Sequence, residues 1–565
     1  MTATGSATRR TGSRGLQVVA AALPVAFLAA FFVWPLVAIL GRGLAPDGTL
    51  DLGAALGRLA DARLGGVVWF TVWQAVASTA LTLVLGLPGA YVLSRLRFRG
   101  RDVLRAAVTV PFVLPTVVVA TAFLALLGPA SPVNDLLRAV AGEGAPVLDL
   151  RRTVPAVLLA HAFFNYAVVV RTVGGLWAHL DPRLEDAART LGATRWRAFV
   201  EVTWPLLRPA VAAAGAIVFL FTFTSFGVVL ILGGPGLATI EVEIYRATAQ
   251  RLDLSLAAVL SLLQLGAVVG ALAVSGRLTR RVGRQRLSRA DRAVRPLTTA
   301  GDRWLLRANL AVMAVLLATP LLVLVSRSFR VGDAWSLAGW RALVATPARG
   351  AVLTVTPWEA VATSLGFAAG ATVLALVVGG LAALAVTVRE GRLGRGLDAL
   401  LMLPLGASAV TLGFGFLLAL SRPPLDLRTS PLLVPIAQAL VAVPFVVRTL
   451  LPVLRSIDVR LREAAAALGA PPARVWREVD LPIVRRAATV AAGFAFAVSL
   501  GEFGATVFIA RATSPTLPIA IFRLLGQPGA LNLSQAMALA TVLMLLTAGA
   551  VLAFERVRGS EGTLF

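Results

Sequence analysis

The sequence predicts an all-α polytopic membrane protein, with about twelve transmembrane helices arranged as two parallel six-helix repeats. Composition is the first observation behind this. Of 565 residues, 58% are apolar and 14% charged, and the mean hydropathy is +0.83, far from a soluble chain of this length. The second observation is a repeat. Asp186-Ala-Ala-Arg-Thr-Leu-Gly192 returns 277 residues later as Glu463-Ala-Ala-Ala-Ala-Leu-Gly469, each copy on a polar segment between long apolar runs. The same offset pairs Arg171 with Arg448, Asp181 with Asp458, Glu201 with Glu478, Pro205 with Pro482, Phe226 with Phe503 and Thr239 with Thr516. One offset held through mixed polar and apolar sequence marks a tandem duplication.

Runs long enough for hydrocarbon, about 20 residues each, fall near 17–40, 66–94, 104–127, 153–178, 208–232 and 252–275. A second set falls near 305–326, 359–388, 397–420, 430–452, 485–510 and 534–555. Pro88, Pro111, Pro115, Pro404 and Gly413 lie inside these runs and are expected within bundled spans, where neighbours satisfy freed backbone groups. The first run follows Arg9, Arg10 and Arg14 and is expected to be a retained span, its apolar stretch being too long for a secretory signal. The two units are expected at 1–290 and 291–565, with polar loops at about 181–209 and 458–486. Pro111 pairs with Pro404 at an offset of 293, so the first unit holds about 16 extra residues (293 less 277) in the loop after its third span.

Arginine placement sets the expected orientation. Arg95, Arg97, Arg99, Arg101 and Arg105 crowd one loop, and Arg277, Arg280, Arg281, Arg284, Arg286, Arg289, Arg292 and Arg295 crowd the central linker. Positive residues collect on the cytoplasmic side, which places both termini and both repeated loops there. Six spans per repeat is an even number, so the copies share one orientation. The net charge of +25 is then topology and attraction to anionic lipid headgroups. Nucleic acid is not an expected partner, since the arginines flank spans without interleaved aromatics. The basic residues are all arginine, and a phosphate-binding Walker A loop needs lysine. Any ATP must therefore be bound by another subunit. Two histidines and no cysteine exclude disulfides and thiolate chemistry and leave little for a metal site or catalytic triad.

Each polar loop is expected to hold two short helices. Glu185 and Asp186 sit in a first turn, where the helix dipole favours acids. Gly192 and Gly469 are expected to take positive φ and turn the chain. A second helix, Thr194 to Val202, would show an apolar side of Trp196, Phe199 and Val200, and Pro205 or Pro482 would reset the chain before the next span.

Acid-Ala-Ala, three residues, Gly and a run ending in Pro resembles the EAA loop of bacterial ATP-binding-cassette (ABC) importer permeases. The residues concerned are Asp186, Ala187, Ala188, Gly192 and Pro205, and Glu463, Ala464, Ala465, Gly469 and Pro482. Asp186 departs from the usual Glu, though Glu185 adjoins it; Glu463 matches. The resemblance implies the type I importer permease fold, no catalytic residue, cofactor or metal in this chain, and loops that act as coupling helices. It also implies two partners: a dimeric ATPase subunit binding MgATP and an extracytoplasmic substrate-binding protein. A fused pair of units is similar to the thiamine and ferric-iron branches. Leu159-Ala-His-Ala-Phe-Phe-Asn165 and Gly233-Gly-Pro-Gly-Leu-Ala-Thr-Ile-Glu-Val-Glu-Ile-Tyr245 are most similar to thiamine permeases. Leu500-Gly-Glu-Phe-Gly-Ala-Thr506 also resembles molybdate and sulfate permeases.

Polar residues inside apolar spans are the pathway candidates. Glu502, beside Phe503, is a carboxylate inside the eleventh run, where an unpaired charge is expensive; its counterpart is Ser225, beside Phe226. The alternative for Glu502 is a hydrogen-bonded carboxyl joining helices. His161 and Asn165 share a helical face, either in the pathway or as interhelical hydrogen bonds. Thr222, Thr224 and Gln264 read as helix-joining residues. Glu241 and Glu243, after the flexible Gly233-Gly234-Pro235-Gly236 run, read as a solvated outer loop, the alternative being a place to meet a cation or a binding protein. Thiamine or its phosphates are the leading substrate, with ferric iron and an oxyanion behind. An ion-gradient transporter is the rival class, disfavoured by the matched loops and scarce membrane acids.

Overall fold

The computed structural model describes residues 14–557, apart from 46–47, 50, 52, 54–56, 58–60, 143–145, 280–293, 348–349, 389–391, 422 and 424. Arg9, Arg10 and the linker arginines 280–292 lie outside the described residues. The chain is all-α: the β-strands among the described residues are two-residue segments. Eleven described helices are long and apolar enough to cross a membrane, or twelve if the bent pair Gly396–Pro404 and Ala409–Ala419 counts as one span.

Proline behaves in two ways. Pro88, Pro111 and Pro404 lie within helices, as expected of bundled spans. The third run is broken, however, into Arg101–Val113 and Thr116–Leu127. Pro115 disfavours helical geometry at Leu114 and brings no N–H of its own. At the offset of 293 the ninth run breaks too, between Arg392–Gly406 and Ala409–Ala419, and turns by 90°. There Ser408 caps the new helix, its Oγ accepting the Thr411 N–H at 3.1 Å. The runs 208–232 and 485–510 are also interrupted. Their helices end at Phe223 and Leu500 and resume at Gly227 and Thr506.

Pro205 and Pro482 do not reset the chain as the sequence suggested. Each follows a π-helical turn, Phe199–Thr203 or Trp476–Asp480, and the helix runs on into the next span. The wider turn makes room where the proline supplies no hydrogen bond.

Packing repeats between the copies. Gly86 lets the second and fourth spans close up: a Cβ there would lie 2.8 Å from Val169 Cβ. At Gly379 a Cβ would lie 2.8 Å from Val446 Cγ1, and the two offsets relate these pairs. Buried Phe27, Leu28 and Phe32 of the first span share a core cluster with Val378, Ala382 and Val443 of the second copy. Conversely, Met313, Leu316 and Leu324 of the seventh share a cluster with Val118, Phe123 and Phe163 of the first. Asn309 Nδ2 also donates to Tyr166 Oη at 3.1 Å. The leading span of each copy therefore lies against the other copy.

The extra residues of the first copy include the helix Pro132–Ala141, which Asn134 ties to its loop by exchanging hydrogen bonds of 2.8 Å with Leu148 in both directions. In the same loop a two-bond contact from Arg151 holds the Asp149 carboxyl below its usual range.

Candidate functional site

The two polar loops have one geometry. The first helix is Arg183–Thr190 in one copy and Val459–Ala467 in the other. Asp181 and Asp458 start them, each accepting the N–H two residues on at 3.0 Å. Both end alike. Gly192 has φ +91° and Gly469 φ +82°, as the sequence led us to expect. Around them Ala193 N–H reaches Ala188 O and Ala470 N–H reaches Ala465 O, each at 3.1 Å. This is a left-handed closure that satisfies the last carbonyls of the helix. Asp186, Ala187, Glu463 and Ala464 are exposed; Ala188 and Ala465 are half-buried. At the tips Leu191 is 90% and Leu468 89% exposed.

One feature escaped the sequence reading. Glu185 accepts a short hydrogen bond from Thr203, holding the loop helix to the one that follows. At the related positions Arg462 Nε donates to Asp480 Oδ1 at 2.8 Å. The joint is kept while its chemistry changes from hydroxyl–carboxylate to an ion pair. The offset of 277 aligns these four residues, so comparing side-chain chemistry between the copies was the available signal.

The pathway candidates meet at the seam between the copies. Phe226 and Phe503 stack with ring centroids 5.5 Å apart. Tyr245 packs on Phe226 at 5.7 Å, Phe522 on Phe503 at 5.3 Å, and Tyr245 faces Phe522 at 6.4 Å. The repeat relates Phe226 to Phe503 and Tyr245 to Phe522, so four rings close the seam about a local two-fold axis. Phe508 adds a fifth at 5.8 Å from Tyr245, and Arg523 stands close enough to Tyr245 to interact electrostatically.

Behind the rings, Ser225 and Glu502 sit where the spans are interrupted. Glu502 is buried, and its two oxygens accept the Ala505 N–H at 2.7 Å and the Thr506 N–H at 3.0 Å. It thus occupies a helix break rather than a continuous span, and serves the orphan donors of the next helix. Ser225 Oγ lies 2.8 Å from His161 Nε2, and His161 Nδ1 lies 2.9 Å from Ser78 Oγ. Asn165 Nδ2 donates to His161 O at 2.9 Å. These bonds match the interhelical option for His161. Thr222 joins helices as well, its carbonyl accepting Gln74 Nε2 at 2.8 Å, whereas Thr224 bonds within its own helix.

Glu241 and Glu243 differ from expectation. They do not lie on a solvated loop but are buried in the helix Ile240–Ala249. The Gly233–Pro235 turn folds this segment back into the molecule, and Thr71 Oγ1 meets the Ile240 N–H at 3.0 Å. Glu243 pairs with Arg251 at 2.6 Å. Glu241 Oε1 accepts Gln264 Nε2 at 2.9 Å and Oε2 accepts Ser408 Oγ at 2.7 Å.

Twinned polar loops and a seam closed by paired aromatic rings thus lie among helices long and apolar enough to cross a membrane. Residues 82–283 match the family described as binding-protein-dependent transport system inner membrane component. At full length the chain is similar to the thiamine transport system permease protein ThiP of Brucella abortus (strain 2308), 28% identical over 575 residues and 100% of both chains. ThiP of Escherichia coli (strain K12) is likewise 28% identical, over 82% of this chain and 84% of its own length. The sulfate transport system permease protein CysT of Escherichia coli (strain K12) is 36% identical over 29% of this chain and 57% of its own.

Proposed function

We propose that this chain is the membrane-spanning subunit of an ATP-driven importer for thiamine or its phosphates. The matched pair of loops carries the reading. Two helices with the same start, the same left-handed glycine end and the same exposed leucine suit a two-fold partner. That partner is a dimeric ATPase, which binds MgATP; Asp186, Ala187, Ala188, Gly192 and Pro205 face one protomer, and Glu463, Ala464, Ala465, Gly469 and Pro482 the other. The units are 1–290 and 291–565, their coupling loops are about 181–209 and 458–486, and both termini lie in the cytoplasm of a bacterial cell. A substrate-binding protein docks on the opposite side.

Closure of the ATPase dimer moves both loops together and rocks the two units about the aromatic seam. Phe226 and Phe503 then part to admit substrate, with Ser225, Glu502, His161 and Asn165 fixing the interrupted helices behind them. Similarity to thiamine permeases along the whole chain supports the substrate, as does the facing set of aromatic rings, which suits a flat cation. Reconstitution with the ATPase and binding protein in proteoliposomes tests the proposal. Labelled thiamine should enter only with ATP inside the compartment that holds the ATPase. Entry of ferric iron but not thiamine, or uptake driven by a proton gradient without nucleotide, would overturn it.

A further inference from the structure

Among the described residues, Glu241 is a buried carboxylate without a counter-ion. Its two hydrogen-bond donors, Ser408 and Gln264, are neutral, and no ion pair is found for it among the described residues, whereas Glu243 two positions on has Arg251. The other amide atom of Gln264, Oε1, is buried with no partner. A carboxylate in an apolar interior is expensive, and an unmet buried acceptor adds to the cost. A cation offsets the carboxylate, and its positive charge also suits the unmet amide oxygen.

The duplication supplies an internal control. The offset of 277 places Pro518 and Thr541 where Glu241 and Gln264 stand, and the offset of 293 places Pro115 at Ser408. The second copy builds the corresponding helices, Leu517–Leu525 and Ala530–Val557, without this trio. The fold therefore does not require it. Tyr245 lies one turn beyond Glu241 on the same helix face, and its ring belongs to the aromatic closure beside Phe226. The carboxylate thus stands on the helix that carries the seam's Tyr245 ring, with Gln264 bonded to it.

We propose that Glu241, with Gln264 Oε1 and the Tyr245 and Phe226 rings, recognises the positively charged ring of an organic cation during passage. Ser408 occupies the carboxylate while the passage is shut. This rests on the thiamine reading above. Glu241 and Ser408 come from different copies, so parting of the units breaks their 2.7 Å hydrogen bond and bares the carboxylate when the rings separate. Closure returns the serine and expels the cation.

The test uses the complete transporter in proteoliposomes, with thiamine and its uncharged thiophene analogue 3-deazathiamine as probes. Each variant is compared with wild type on each probe, which cancels selection by the binding protein. Glu241→Gln should lower thiamine uptake by about tenfold or more and leave analogue uptake and ATPase association near wild type. Ser408→Ala should keep the discrimination and raise substrate-independent ATP turnover. Equal loss of both probes in Glu241→Gln, or loss of neither, overturns the proposal. If that variant fails to assemble, Gln264→Thr, the second copy's residue, carries the test. Loss confined to thiamine supports the site, and equal loss or none overturns it. Wild-type transporter that moves neither probe defeats the thiamine reading itself, and the proposal with it.

Discussion

Gly86 and Gly379 set how closely the second and fourth helices of each copy lie. A methyl group at Gly86 would sit 2.8 Å from Val169 Cβ, inside any real carbon contact, so the helices must move apart. Overpacking of this kind costs about 1–3 kcal/mol. Gly86→Ala should therefore lower the melting temperature of the purified protein in detergent, and Val169→Ala in the same molecule should restore little of the loss, because alanine keeps the Cβ that lies 2.8 Å from the new methyl. Gly379→Ala should behave alike, because the second copy repeats the contact: Val446→Ala would leave Val446 Cβ 2.9 Å from the new methyl. Glutamates divide differently. Glu502 stood out in the sequence as a charge in an apolar run, yet the structure gives both its oxygens to backbone donors. Glu241 was assigned to a loop because Gly233-Gly234-Pro235-Gly236 reads as flexible. Sequence carries the polarity of a residue but not the fold-back of the chain that buries it.

At the scale of elements, the first helix and glycine turn of each polar loop were legible, whereas the π-helical turn before Pro205 and Pro482 and the joint at Glu185 and Arg462 were not. The acid, the two alanines and the glycine each impose local geometry, and local geometry is what sequence specifies best. The helix breaks were less legible, since Pro111 and Pro115 look alike in the chain while only the second interrupts a helix. What separates them is the company each keeps in the bundle. The exposed tips carry a clear expectation. Leu191→Ser and Leu468→Ser remove apolar surface that is almost wholly exposed in the lone chain, so folding should be unchanged while ATPase co-purification falls. The loss should be greatest for the double variant, and unchanged co-purification would make the tips bystanders. The joint behind each tip allows an exchange. Arg462→Glu sets a carboxylate against Asp480 and should impair transport. Adding Asp480→Thr recreates the first copy's Glu185–Thr203 pair and should recover it, read as uptake at equal membrane abundance.

For the whole molecule, the aromatic closure across the local two-fold axis was half visible. Phe226 and Phe503 were matched by the repeat, but nothing local foretold that they stack on each other. The absence of cysteine makes this contact easy to probe without first altering the chain. A Phe226→Cys, Phe503→Cys double variant should cross-link under mild oxidation, stop transport, and recover when the bond is reduced. Transport that continues with the bond formed would show that the passage lies elsewhere.

The exchange of leading spans bears on how the protein is made. Phe27, Leu28 and Phe32 of the first span pack in a cluster with helices such as Pro357–Thr387, which leave the ribosome roughly 300 residues later, while Gly43 at its other end lies against Ala258 of its own copy. At about 5–20 residues per second the first span waits on the order of 15–60 s with its inward face turned to lipid. Throughout that interval the nascent chain presents an unfinished surface to insertion chaperones and membrane proteases alike. Slow decoding between the copies would lengthen it.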